Sequence, residues 1–103
     1  MGNRMEMIFT NDEIARITEG IKNDVHTITV DVHGLRVKDA KRLLNNLMAI
    51  NREGYDIQVI HGYSHGTAIK EMIYGKLESP RLECKKAVKR NHGRTILKMN
   101  KAA

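Results

Sequence analysis

From Val25 to His33 the chain alternates. Ile28, Val30 and Val32 share one side; Thr27, Thr29, Asp31 and His33 share the other. A period of two marks a strand with one buried face. The period then lengthens. Val37, Ala40, Leu43, Leu44, Leu47 and Met48 recur three and four apart, so residues 35–53 read as an amphipathic helix that Gly54 ends. Tyr55–Ile60 returns to alternation, with Ile57 and Val59 on one parity. A strand, a helix and a strand make a right-handed crossover with parallel strands. The turns after both strands then lie at the same end of the sheet. Residues 68–78 predict a second helix with Ile69, Met72, Ile73 and Leu77 as its buried stripe, and Ser79-Pro80 breaks it. Two strands follow, at 81–88 and 94–99, joined by a turn around Asn91-His92-Gly93. Leu82, Cys84, Thr95, Leu97 and Met99 are the inward residues.

In front of this lies Thr10-Asn11-Asp12-Glu13, a capping-box pattern, and then Ile14, Ile17 and Ile21 at helical spacing. Residues 1–22 are expected to form an extension carrying a short amphipathic helix, with 1–9 loose. Such a helix is too short to stand alone, so its isoleucines dock on the sheet or support self-association. Residues 23–103 form the domain proper. The expected fold is an α/β (α+β) two-layer sandwich, β-α-β-α-β-β, with a four-stranded mixed sheet and an N-terminal helix. Helices cover one face. The other shows Thr27, Thr29, Asp31, Gln58, Lys85, Arg94 and Lys98.

Charge sharpens the picture. The net charge of +6 is concentrated: residues 79–103 hold eight bases and one acid, Glu83, while the first 78 residues hold 10 bases and 11 acids. Concentrated positive charge attracts polyanions, so nucleic acid is the expected partner. The single cysteine, Cys84, leaves no internal disulfide. With no apolar run of membrane-spanning length, of about 20 residues, and no signal-peptide core, the expectation is a cytoplasmic protein that does not enter a membrane.

The candidate chemistry gathers at the two turns. Asp31 and His33, two apart in an extended strand, lie on one face, so the carboxylate can orient the imidazole. The second turn runs His61-Gly62-Tyr63-Ser64-His65-Gly66-Thr67 into the N-terminus of the second helix. Unpaired N–H groups there make an anion seat, and Lys70 is within reach of a phosphate. Cleavage of a phosphodiester needs a base, an acid and positive charge on the phosphoryl oxygens. His33, held by Asp31, fits a proton-transfer role with His61 as its partner. Gly34, Gly62 and Gly66 allow the turns, and Tyr63 offers a ring for stacking. Lys85, Lys86, Lys89, Arg90 and Arg94 supply the cationic surface.

Asp31-Val32-His33-Gly34-Leu35 and His61-Gly62-Tyr63-Ser64-His65-Gly66-Thr67 resemble the two motifs of the Smr (small MutS-related) domain. The likeness covers roughly residues 25 to 100. Ser64 stands where the family's second motif has its middle glycine, and His65 where it often has threonine. Tyr63 and the Gly66-Thr67 pair are similar to short stand-alone members. The resemblance implies a fold like the C-terminal domain of translation initiation factor three, binding of DNA or RNA, and in many members nicking or endonuclease activity. It places Gly34, Gly62, Tyr63, His65, Gly66 and Thr67 at the nucleic acid.

Other readings remain open on the residues alone. His61 shares parity with Ile57 and Val59 and can be a buried structural histidine. Asp31, His33, His61 and His65 are metal-ligand types, but no paired-ligand spacing supports a divalent metal, and no cofactor is required. Gly66 is followed by Thr67, which excludes a P-loop. A non-catalytic nucleic-acid-binding module is the principal alternative to an endonuclease.

Overall fold

The computed structural model describes residues 8–62, 67–89 and 91–101. Within them three helices and five strands run in the order α1 (Asn11–Ala15), β1 (Ile17–Lys22), β2 (Val25–Asp31), α2 (Val37–Leu47), β3 (Tyr55–Ile60), α3 (Ala68–Gly75), β4 (Leu82–Val88) and β5 (Asn91–Met99). The strands form one mixed sheet in the order β1-β2-β3-β5-β4. β2 and β3 are parallel across the α2 crossover, and the other neighbours are antiparallel. The chain is therefore a small α+β protein.

The front segment departs from expectation. The capping box is present: Glu13 N–H donates to Thr10 Oγ1 at 3.1 Å, and Thr10 N–H donates to Glu13 Oε1 at 2.8 Å. The helix ends after five residues, however, and Ile17–Lys22 becomes a fifth strand paired with β2. Two causes are visible. Ile17, Thr18 and Ile21 are β-branched and fit a pleated edge. Asn23 and Asp24 both sit at positive φ, 51° and 65°, which is the two-residue turn that matches strand twist in a hairpin. Ile14 and Ile17 still pack against the core, but Ile21 is 76% exposed. The apolar helix face expected to carry self-association does not form.

The core lies between the sheet and the helices. Ile28, Val30, Ile57, Val59, Leu97 and Met99 from the sheet meet Ala40, Leu43, Leu44 and Leu47 of α2 and Met72 and Ile73 of α3. Both helices are shorter than their apolar stripes: Met48, Ile50 and Leu77 are buried from the segments beyond the helix ends. Val37 is exposed at the first turn of α2 rather than part of its buried stripe. Tyr55 closes the end of the sheet remote from the two turns, its hydroxyl donating to the Leu47 carbonyl and Arg81 lying over its ring. Burial pushes its phenol above the usual value. β5 starts at Asn91, so Asn91, His92 and Gly93 are strand residues and the β4–β5 connection lies before them.

Register also moves one lysine. A shift between Leu82 and Cys84 adds a residue to β4, so Cys84 is opposite Lys98 and Lys85 opposite buried Leu97. Lys85, expected on the open face, is on the helix side and donates to the Tyr74 carbonyl at 3.3 Å. Cys84, expected inward, pairs instead with a residue of the open face.

Candidate active site at the ends of β2 and β3

The parallel register sets Asp31 beside Ile60, and Val32 N–H extends the ladder by donating to the Ile60 carbonyl at 2.9 Å. After each strand the chain turns through a glycine at positive φ, Gly34 at 80° and Gly62 at 71°. The turns touch. A Cβ placed on Gly62 would stand 3.4 Å from the Cβ of His33. Gly62 is favoured for its backbone angle, and a Cβ there would stand in van der Waals contact with the neighbouring turn.

At this seam Asp31 holds His33 by two groups. The backbone N–H of His33 donates to Asp31 Oδ1 at 3.1 Å, and the ring Nδ1 makes a very short contact with the same oxygen. A carboxylate accepts, so Nδ1 carries the proton and Nε2 is the nitrogen open to exchange. The pair faces solvent: the His33 side chain is 60% exposed and that of Asp31 37%. Arg16 grips the same turn. Its Nη1 donates to the carbonyls of Asp31 at 3.2 Å and His33 at 3.3 Å, and its Nε to Asp12 at 3.2 Å.

His61 is placed differently. It is buried, 6% exposed, on the side of Ile57 and Val59. Its Nδ1 contacts the Gly62 carbonyl at 3.0 Å, and its Nε2 contacts Thr95 Oγ1 at 2.9 Å. The carbonyl can only accept, so in the neutral ring Nδ1 is the donor and Nε2 accepts the Thr95 proton. Tyr74 OH, 3.2 Å from Thr95 Oγ1, extends this buried pair to a half-exposed side chain of α3 and completes a chain from α3 through β5 to the seam. The His61 and Gly62 N–H groups both donate to the Gly93 carbonyl, at 2.9 and 3.1 Å. The expected meeting of His33 and His61 does not occur: among the described residues no hydrogen bond joins the His61 ring to Asp31 or His33. Strand parity, carried one residue past β3, turns the imidazole inward.

Of the second turn, Tyr63, Ser64, His65 and Gly66 lie outside the described residues, as do Arg90 and residues 1–7. Thr67 is the N-cap of α3 but does not cap with its side chain; its hydroxyl donates to Glu71 at 3.0 Å. Lys70 is in the first turn, half-buried. Glu71, which no sequence motif singles out, brings a negative charge to the expected anion seat. The cationic residues divide. Lys86 pairs with Ile96 on the open face, Arg94 pairs with Ile60 in the row that contains Asp31, and Lys89 is exposed in the β4–β5 turn at the same end of the sheet. Two strand spacings separate Asp31 from Arg94, about 10 Å. Lys98 is paired with Glu83 at 3.3 Å, and that contact raises its pKa.

Arg16, Thr95 and Tyr74 also escape a sequence-based expectation of the site. Arg16 leaves no signal, because it binds backbone carbonyls, which every sequence has. Thr95 leaves one: it is a polar residue at an inward position of a strand, and so needs a buried partner.

Among the described residues no group of three or more His, Cys, Asp or Glu is gathered for a metal ion. No helix among them is long and apolar enough to cross a membrane. No protein-family description, curated protein or solved structure matches the chain.

Proposed function

We propose that this chain is a cytoplasmic nucleic-acid-binding protein of the Smr type that cleaves phosphodiester bonds of DNA or RNA at the β2–β3 seam. In this reading the fold is that of the C-terminal domain of translation initiation factor three, with β1 added as an outer strand. The observation that carries the proposal is the Asp31–His33 pair: an exposed imidazole, held at Nδ1 and at its backbone N–H by one carboxylate, beside a glycine turn. His33 Nε2 takes the proton of the attacking hydroxyl or water as its oxygen bonds phosphorus. Asp31 stabilises the imidazolium that results. The bond to the leaving oxygen breaks, and that oxygen takes its proton from solvent at this open site. Lys70, Arg94 and the N-terminus of α3 offset charge on the phosphoryl oxygens. The second-motif residues Tyr63, His65, Gly66 and Thr67 line the nucleic acid, while His61 fixes the turn from beneath.

The test is cleavage of labelled single-stranded, duplex and structured DNA and RNA, with and without chelator. His33→Ala is expected to lower the rate by about 10²–10⁴-fold with binding retained. Asp31→Asn acts in the same direction and by no more. Equal cutting by parent and His33→Ala removes the assignment. The burial of His61 favours a second reading, a binding module without chemistry, since it leaves His33 as the one exposed histidine among the described residues of the two turns. A parent that binds nucleic acid and cuts none of these substrates selects that reading.

A further inference from the structure

We propose that Arg16 is a positioning residue for His33, so that the α1–β1 segment is part of the site rather than an appendage to it. The inference rests on the catalytic reading of His33 given above. Its basis is a ladder that changes from main chain to side chain. Asp31 N–H donates to the Arg16 carbonyl at 3.0 Å, the last rung of the β1–β2 pairing. A reciprocal rung would need the Arg16 N–H, but that group caps α1 by donating to the Glu13 carbonyl at 3.0 Å. The Asp31 carbonyl takes the guanidinium instead, and Nη1 also reaches the carbonyl two residues on, at His33.

The Asp31 carbonyl faces the strand that stops short, and the turn over residues 32–35 brings the His33 carbonyl to the same guanidinium. Arg16 substitutes for the missing strand. Asp12 orients the guanidinium through Nε, and the arginine's rigid fork serves the carboxylate and the carbonyls at once. Without it the two carbonyls turn to water; the backbone bonds of Asp31 and Val32 still hold the end of β2, but the His33 peptide is held only by the Asp31 carboxylate and the turn itself. A reacting group displaced by about 1 Å loses up to about 10²-fold in rate.

Arg16→Ala is expected to lower kcat about tenfold, with KM held within about twofold because Arg16 does not touch substrate. Arg16→Lys, which keeps one donor head, recovers part of kcat. The second measurement needs no substrate: nitrogen-15 spectra of the His33 ring, assigned with His33→Ala, report which nitrogen carries the proton. In the parent Nδ1 carries it. In Arg16→Ala the ring shifts toward the mixture of free histidine, and in Arg16→Lys it shifts less. Unchanged kcat and unchanged ring spectra overturn the proposal. So does a fall in kcat with unchanged ring spectra, since His33 is then not the route. If the parent does not cut, the catalytic reading fails and the ring spectra alone decide the role of Arg16. If Arg16→Ala does not fold, Arg16→Lys and Arg16→Gln carry both measurements.

Discussion

Thr95 serves two partners with one hydroxyl: it gives its proton to His61 Nε2 and accepts from Tyr74. Thr95→Val keeps the shape and removes both links, leaving a buried imidazole nitrogen and a phenol without their partner. We expect a loss of about 1–3 kcal/mol in urea unfolding, with cleavage per folded molecule changed no more than a few-fold. A rate loss on the scale of His33→Ala would return His61 to the chemistry. At this scale the sequence is partly legible. Asp31 and His33 are paired by their spacing, and the parity of His61 already points inward. What local spacing does not carry is the far partner: Thr95 is 34 residues from His61, and Arg16 meets only backbone at the His33 turn.

The element least legible in the sequence is β1. Ile14, Ile17 and Ile21 satisfy helical spacing, but Ile17, Glu19 and Ile21 also lie two apart, and a short segment fits either period. The turn decides between them. Asn23 and Asp24 take the left-handed conformation that joins two antiparallel strands, and β2 had an edge to fill. Asp24 is at φ 65°, where glycine has no Cβ penalty, so Asp24→Gly is expected to stabilise the protein by about 0.5–1 kcal/mol, read as a higher urea midpoint at unchanged slope. A lower midpoint would mean that the Asp24 side chain matters more than its backbone angle. The two longer helices and the β2–α2–β3 crossover are legible because long periodic stripes mark them, but Gly54 does not end α2, which stops at Leu47. The bulge at Leu82–Cys84 is not, because one inserted residue inverts parity without altering composition.

Across the whole molecule, that inversion sorts the basic residues. Lys86, Lys89 and Arg94 are left on the open face or at the seam end, whereas Lys85 is tied to α3. Neutralising Lys86, Lys89 and Arg94 together is expected to weaken nucleic-acid binding. Its salt dependence should flatten by about 0.9 in log–log slope for each duplex phosphate that the variant no longer neutralises. Lys85→Gln is expected to leave the slope unchanged. An effect of Lys85→Gln equal to that of the triple variant would place the binding surface on the helix side. The charge asymmetry itself can be counted along the chain; which face presents it depends on register.

The parallel seam has a consequence for the order of assembly. The two outer pairs, β1 with β2 and β4 with β5, close over short connections and can zip as soon as their strands exist. The β2–β3 pairing must wait for a loop of more than twenty residues to condense into α2, and closing such a loop costs entropy before any contact rewards it. Asp31 and His33 belong to one side of that junction and Gly62 to the other. The Asp31–His33 pair and the Arg16 grip can form with the β1–β2 hairpin, whereas the seam to Gly62 exists only once β2 and β3 have paired across the crossover.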